Sequence, residues 1–261
     1  MEDLFFRVQG EGKPLIILHG LFGTADNWQT IAKVLSQQFT VYTIDQRNHG
    51  RSFRSPIWHY EAMAEDLQLF IEKHQIENPH LIGHSMGGKT LMCYTAQYAK
   101  TPFDKLIIVD IAPRYYPIHH QTILAGLNAI PLSQIQSRQE ADQILTQYIK
   151  EGDTRQFLLK NLYRDEQNQF QWRMNLPVIA QNIEKVGEAL PEKYHALATE
   201  RPTLFIRGEK SDYIQEKDFT LIQQAYPNVQ IVTIENAGHW VHAEQPQTFI
   251  QTVLSFLLPS S

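Results

Sequence analysis

Residues 79–99, PHLIGHSMGGKTLMCYTAQYA, run from an apolar strand pattern into a helical one across a turn with three glycines. A strand that turns at once into a helix has to be carried back over a sheet. The segment therefore commits the chain to parallel strands covered by helices. The octet Gly83–Thr90 also satisfies two chemical patterns. One is G-x-S-x-G, which displays a serine hydroxyl on a strained strand-to-helix turn. The other is G-x-x-x-x-G-K-[ST], whose backbone N–H groups cradle phosphate. Either Ser85 is a nucleophile or Lys89 is a phosphate ligand, and the octet alone does not decide. A chance G-x-S-x-G match occurs in roughly one chain in ten of this length.

The rest of the chain repeats the strand–helix rhythm. Strands are predicted at 4–8, 14–19, 39–45, 79–83, 105–111, 203–208 and 229–235, all short apolar runs. Helical patterns fill 27–38, 60–75, 86–99 and 244–258; in the second, Met63, Leu67, Phe70 and Ile71 form one buried stripe. The rhythm stops at residue 114 and resumes near 199. That Gln-rich span shows helical periodicity and no clear strand, and it is too long for a simple crossover. It reads as a helical cap, 114–198, inserted into a core domain made of 1–113 and 199–261.

A serine nucleophile makes three demands. The oxyanion of an acyl-transfer intermediate needs two backbone N–H donors, one from the residue after the nucleophile and one from an earlier loop. Met86 supplies the first, and HGLFG (19–23) the second, with Leu21 favoured over Phe22. The serine needs a base late in the chain, and ENAGHWVHAEQP (235–246) places His239 at a loop tip, with His242 the weaker alternative. A His239–His242 metal pair lacks the further ligands that would complete a site. An acid must lie between serine and histidine in the chain. Asp110, closing KLIIVD, and Asp212, in GEKSDY, both satisfy that order. The phosphate reading finds an acid at the end of LIIVD (106–110) for Mg²⁺, but it leaves HGLFG and AGHW without a use. On the serine reading Lys89 is an exposed residue on the first turn of the helix. The other histidines, among them His49, His74, His80, His119 and His120, read as surface or structural.

With those residues in hand, the chain resembles the YbfF-type esterases of the α/β hydrolase superfamily, through nearly its whole length. The resemblance is carried by HGLFG (19–23), DQRNHGRS (45–52), IGHSMGGK (82–89), VDIAP (109–113), FLLKNL (157–162), WRMNLPVI (172–179) and NAGHWVHAE (236–244). It implies an α/β fold, the α/β-hydrolase fold, with a mostly parallel central sheet flanked by helices and a helical cap inserted after the sixth strand. It implies Ser85 as nucleophile, His239 as base and Asp110 as acid, with a supporting hydroxyl at Ser211. This chain departs from the pattern in placing Asp212 directly after that serine, which keeps Asp212 as an alternative acid. Acyl esters are the implied substrates, with acyl-CoA thioesters as natural candidates, and no cofactor is used. The oxyanion donors are Leu21 and Met86. Leu21, Phe22 and Trp240 are expected to wall the acyl pocket, with Trp172 and Arg173 closing over it from the cap. Arg114 and Arg173 are candidates to meet a substrate phosphate or carboxylate.

Composition restricts the partners. The chain of 261 residues carries 28 acidic against 23 basic side chains, a balance that argues against nucleic acid. Its single cysteine, Cys93, excludes an internal disulfide and suits a reducing compartment. No apolar run approaches a membrane span, and MEDLFFRVQG does not read as a secretory signal. The expectation is a cytoplasmic monomer or weak homodimer acting on a small molecule.

Overall fold

The computed structural model describes residues 3–190 and 199–258. The last eight residues of the expected cap, 191–198, and the chain ends 1–2 and 259–261 lie outside the described residues. The strands among them are β1 (Phe6–Gln9), β2 (Lys13–Leu18), β3 (Phe39–Ile44), β4 (His80–His84), β5 (Leu106–Val109), β6 (Leu162–Arg164), β7 (Phe170–Trp172), β8 (Thr203–Gly208) and β9 (Val229–Ile234). Seven form one sheet in the order β1-β3-β2-β4-β5-β8-β9, parallel except for β1, which pairs antiparallel with β3. All seven strands predicted from the sequence are present, and four helical patterns become α1 (Gln29–Leu35), α2 (Tyr60–Lys73), α3 (Met86–Gln97) and the C-terminal helix Pro246–Leu257.

The strand period of two sorts the apolar side chains onto two faces. Ile16, Leu18, Ile44, Leu81, Leu106 and Ile108 pack with Met63, Leu67 and Phe70 of α2 and with Leu91 and Met92 of α3. Leu15, Ile17, Val41, Ile82, Ile107 and Ile206 pack on the opposite face against Ile31 and Leu35 of α1 and Phe249 and Val253 of the last helix. Both faces of the sheet are therefore dry, which is why its strands read as unbroken apolar runs. β3 lies on one side of β2 and β4 on the other, so the order reverses at β2. The crevice beyond the carboxyl ends of β2 and β4 is where such a sheet leaves room for a ligand.

The excursion leaves the sheet after β5 and returns at β8. It leaves after the fifth strand, not the sixth, because five sheet strands precede it among the described residues. It carries α4 (Gln121–Ala129), α5 (Arg138–Leu145), α6 (Gly152–Leu159), α7 (Leu176–Gln181) and α8 (Ile183–Gly187). It also contains the antiparallel hairpin β6–β7, in a span expected to hold no strand; three residues per strand are too few to show an alternating pattern. Leu127, Leu145, Leu158 and Ile179 of the excursion join the same apolar cluster as α2 and α3. Consequently α3 is buried on every side, sandwiched between sheet and excursion. No described helix is long and apolar enough to cross a membrane.

Candidate active site

Ser85 sits between β4 and α3 at φ +52°, a conformation that costs a non-glycine residue free energy and that the surrounding packing must impose. The packing is tight enough to do so. A Cβ at Gly83 would stand 2.5 Å from the Gly87 carbonyl oxygen, so only glycine lets the turn close. The Ser85 N–H donates to the Val109 carbonyl at 2.9 Å, which ties the turn to the end of β5. Ser85 is 8% exposed, so its hydroxyl lies at the floor of a pocket and not on the outer surface.

Asp110, directly after β5, is the carboxylate that meets His239. His239 Nδ1 lies 2.8 Å from Asp110 Oδ2, and Nε2 lies 3.0 Å from Ser85 Oγ. A carboxylate can only accept, so Nδ1 carries the proton and Nε2 is free to take one from the serine. Asp110 is completely buried, also accepts the Gly208 N–H at 3.0 Å, and receives the Ser211 hydroxyl on Oδ2. Asp212 is exposed; its carboxylate meets only Gln215 Nε2 at 3.4 Å among the described residues, so it does not reach the histidine. The base loop is fixed from both sides. His84 Nε2 donates to the His239 carbonyl at 2.8 Å, and the Glu244 carboxylate accepts the N–H groups of Gly238 and Trp240 at 2.7 and 3.1 Å.

The loop after β2 passes directly over the serine. A Cβ on Gly20 would lie 2.8 Å from His84 Nδ1 and 3.2 Å from Ser85 Cβ, so the backbone can approach only as glycine. Phe22, at φ +60°, is pinned at both peptide groups: its N–H donates to His49 Nε2 at 3.2 Å, and its carbonyl accepts from Asn161 Nδ2 at 2.8 Å. Its N–H is therefore spent, while no described residue accepts the N–H of Leu21 or of Met86, the first residue of α3. The segment DQRNHG supplies the support. Asp45 accepts the N–H groups of Ala25 and Arg51 at 2.6 and 2.8 Å, and Gln46 holds both the ring and the carbonyl of His19. Burial raises the Asp45 carboxyl above its usual range, with the two N–H bonds opposing the rise. His49, read from the sequence as surface or structural, is structural, and by accepting the Phe22 N–H it leaves that of Leu21 without a described acceptor.

Beyond Ser85 lies a cavity of about 410 Å³. Leu21, Phe22 and Trp240 line it as expected, together with Ile123, Phe157 and Ile183 from the excursion. Trp172 and Arg173 do not line it. Trp172 is buried in the β6–β7 hairpin, where its carbonyl accepts from Arg54, and Arg173 lies over the Tyr163 ring. The next residues explain the misplacement: the Asn175 N–H and side-chain amide both bond Asn48, at 2.8 and 2.9 Å. WRMN thus fastens the excursion to RNHG, away from the cavity. Arg114 is paired with Asp218 at 2.9 Å and stacks on Tyr116, so it is not held toward a ligand. Of the histidines set aside from the sequence, His119 and His120 line the cavity.

Lys89, expected on an exposed turn, is completely buried. Its ammonium donates to the carbonyls of Arg114, at 2.8 Å, and Glu188, one at each end of the excursion, and lies over the Tyr116 ring. Burial first, and the Arg114 charge second, push it down to about 7. Its ammonium is taken up by carbonyls of its own chain, which leaves it no phosphate-loop role. Among the described residues no group of three or more histidine, cysteine or acidic side chains could hold a metal ion, and His242 is stacked on Trp28 at 4.0 Å.

Comparison with known proteins shows the family of the chain. The family of the alpha/beta hydrolase fold matches residues 13–246. Esterase YbfF of Escherichia coli K12 is 37% identical over 252 residues, covering 95% of this chain and 94% of that protein. The mouse sn-1-specific diacylglycerol lipase ABHD11 is 38% identical over 251 residues, covering 93% and 80%. A solved structure, a marine microorganism esterase, superposes with a TM-score of 0.94 at 45% identity, covering 98% of this chain and all of that one.

The histidines around Ser85 make stability depend on pH. Burial lowers His19 to about 4 and His242 to about 3; His49 falls to about 3 from burial and then the neighbouring His19. Unfolded, each takes a proton near 6.5, so below that pH the unfolded chain binds protons that the folded one excludes. Stability is then lost as pH falls from 6.5 towards 4, by about 1.4 kcal/mol per pH unit for each such histidine. Thermal unfolding followed by circular dichroism should show a midpoint falling steadily between pH 7 and pH 4.5. A midpoint flat across that window would contradict neutral burial of these rings.

Proposed function

We propose that this chain, which belongs to the α/β hydrolase fold family, is a serine carboxylesterase working through an acyl-enzyme intermediate. One observation carries the reading: the hydrogen-bonded line Asp110–His239–Ser85 ends at the floor of a largely apolar cavity. In the cycle His239 Nε2 takes the Ser85 proton as Oγ attacks the ester carbonyl. The N–H groups of Leu21 and Met86 receive the oxyanion, each worth about 3–4 kcal/mol in comparable sites. The protonated imidazole then gives its proton to the leaving alcohol. Water, deprotonated by the same nitrogen, releases the acid and restores the serine. Asp110 holds the tautomer and balances the imidazolium charge, while Ser211 and the Gly208 N–H keep that carboxylate in place. In the same reading the excursion, 114–198, acts as a cap over the core formed by 1–113 and 199–261.

The charge of the cavity lining favours an ester over an acyl-CoA thioester in this reading. Among the described residues that line the cavity, the only one drawn from Asp, Glu, Lys and Arg is Glu151. Among those described residues the phosphates of a coenzyme A group would meet no Lys or Arg and one carboxylate, an arrangement that disfavours them. Uncharged esters are the preferred substrates on this account.

Two outcomes follow. Ser85→Ala should abolish turnover of p-nitrophenyl acetate, and Asp110→Asn should cost about 10³-fold or more in kcat while Asp212→Asn stays within about threefold. Substantial activity in Ser85→Ala, or the reverse ranking of the two acids, would overturn the assignment. Across a matched series, kcat/KM for p-nitrophenyl butyrate should exceed that for butyryl-CoA, and Glu151→Lys should narrow the gap at low salt. A preference for the thioester would refute the charge argument.

A further inference from the structure

The base has a neighbour that the mechanism above does not use. The Tyr213 ring lies parallel to the His239 imidazole, with centroids 3.8 Å apart and 16° between planes. Tyr213 is two residues beyond Ser211, and its N–H donates to the same Ser211 Oγ, at 3.2 Å, that bonds Asp110. One short loop therefore holds both the acid and the face of the base.

The start of the excursion fixes that loop in turn. The Tyr213 carbonyl accepts the Tyr116 hydroxyl, and Arg114 reaches the Asp212 carbonyl at 3.3 Å. The Tyr213 hydroxyl lies 2.7 Å from His119 Nε2. His119 Nδ1 sits 3.1 Å from the Pro117 carbonyl, which can only accept. In neutral His119 the proton is therefore on Nδ1, and Nε2 accepts from the Tyr213 hydroxyl. Burial pushes that hydroxyl up to about 12, so it stays a donor across the working range of the enzyme.

We infer that Tyr213 is a positioning residue for His239, resting on the serine esterase reading above. Its ring blocks rotation of the imidazole out of the plane that joins Asp110 to Ser85. Its π face also lies against the imidazole as that ring takes the Ser85 proton and becomes a cation, a contact stronger in the transition state than before it. The Tyr213–His119 hydrogen bond ties the ring to the excursion, while the aromatic face itself does the positioning.

An effect confined to the transition state lowers kcat and leaves KM unchanged. Replacing the ring by an aliphatic side chain, in Tyr213→Leu and Tyr213→Met, should lower kcat for p-nitrophenyl acetate by about tenfold, with KM within about twofold of wild type. Tyr213→Phe keeps the face and loses only the bond to His119, so its kcat should stay within about threefold of wild type. Thermal midpoints identify any variant that has lost its fold, and the two aliphatic replacements guard against one failing. Wild-type kcat in a folded aliphatic variant, or equal losses in Phe and Leu, would overturn the inference, since the aromatic face would then be irrelevant. Failure of the esterase reading shows separately, as wild-type protein that hydrolyses no ester or Ser85→Ala that still does, and it takes this inference with it.

Discussion

The arrangement depends on a buried carboxylate. Asp110 is completely shielded from water, and a lone charge there would be prohibitively costly. It is held by three donors from three places in the chain: the Gly208 N–H at the end of β8, the Ser211 hydroxyl, and His239 Nδ1. Each donor satisfies the charge and is oriented by it in return. The line to Ser85 therefore needs β5 and β8 adjacent in the sheet and the loop after β9 folded back over both. The order found in this sheet, with β5, β8 and β9 side by side, brings those strand ends together.

The excursion is bound to this core at several points, and each binding point serves the proposed chemistry. Lys89, on the helix that carries Ser85, joins both ends of the excursion through two carbonyls. Asn175 pairs with Asn48 in the loop that orders HGLFG, and Asn161 holds the Phe22 carbonyl in the oxyanion loop itself. His119 reaches Tyr213, which lies on the face of the base. The excursion is thus tied by hydrogen bonds to the segments that carry the proposed nucleophile, oxyanion donors and base, beyond walling the cavity. The neutral, buried histidines His19 and His49 belong to the same support; each uses one ring nitrogen to donate to a backbone carbonyl and the other to accept an N–H.

Much of this was legible in the sequence wherever the signal is local. A strand running into a glycine turn and a helix marked Ser85, and a glycine-flanked loop after the last strand marked His239. The seven sheet strands stood out because both sheet faces are apolar. What sequence could not decide is set by distant packing. Asp110 and Asp212 both satisfy the order of the motif, and the choice depends on which carboxylate points inward once β5 and β8 are paired. Lys89 read as exposed because charge usually means surface. Its partners, 25 and 99 residues away in the chain, leave no local trace. Trp172 and Arg173 lie in a distinctive motif, but its distinctiveness reflects the anchor at Asn48. Tyr213 gave no signal of its own, since a tyrosine two residues beyond the loop serine carries no spacing rule.

The central claim is that Ser85 is the group His239 activates, and active-site-directed labelling tests it most directly. A fluorophosphonate should modify the wild-type protein stoichiometrically, with the adduct mapped by peptide mass spectrometry to the segment bearing Ser85 and absent from His239→Ala. Labelling at another residue, or no labelling of folded protein, would contradict the account.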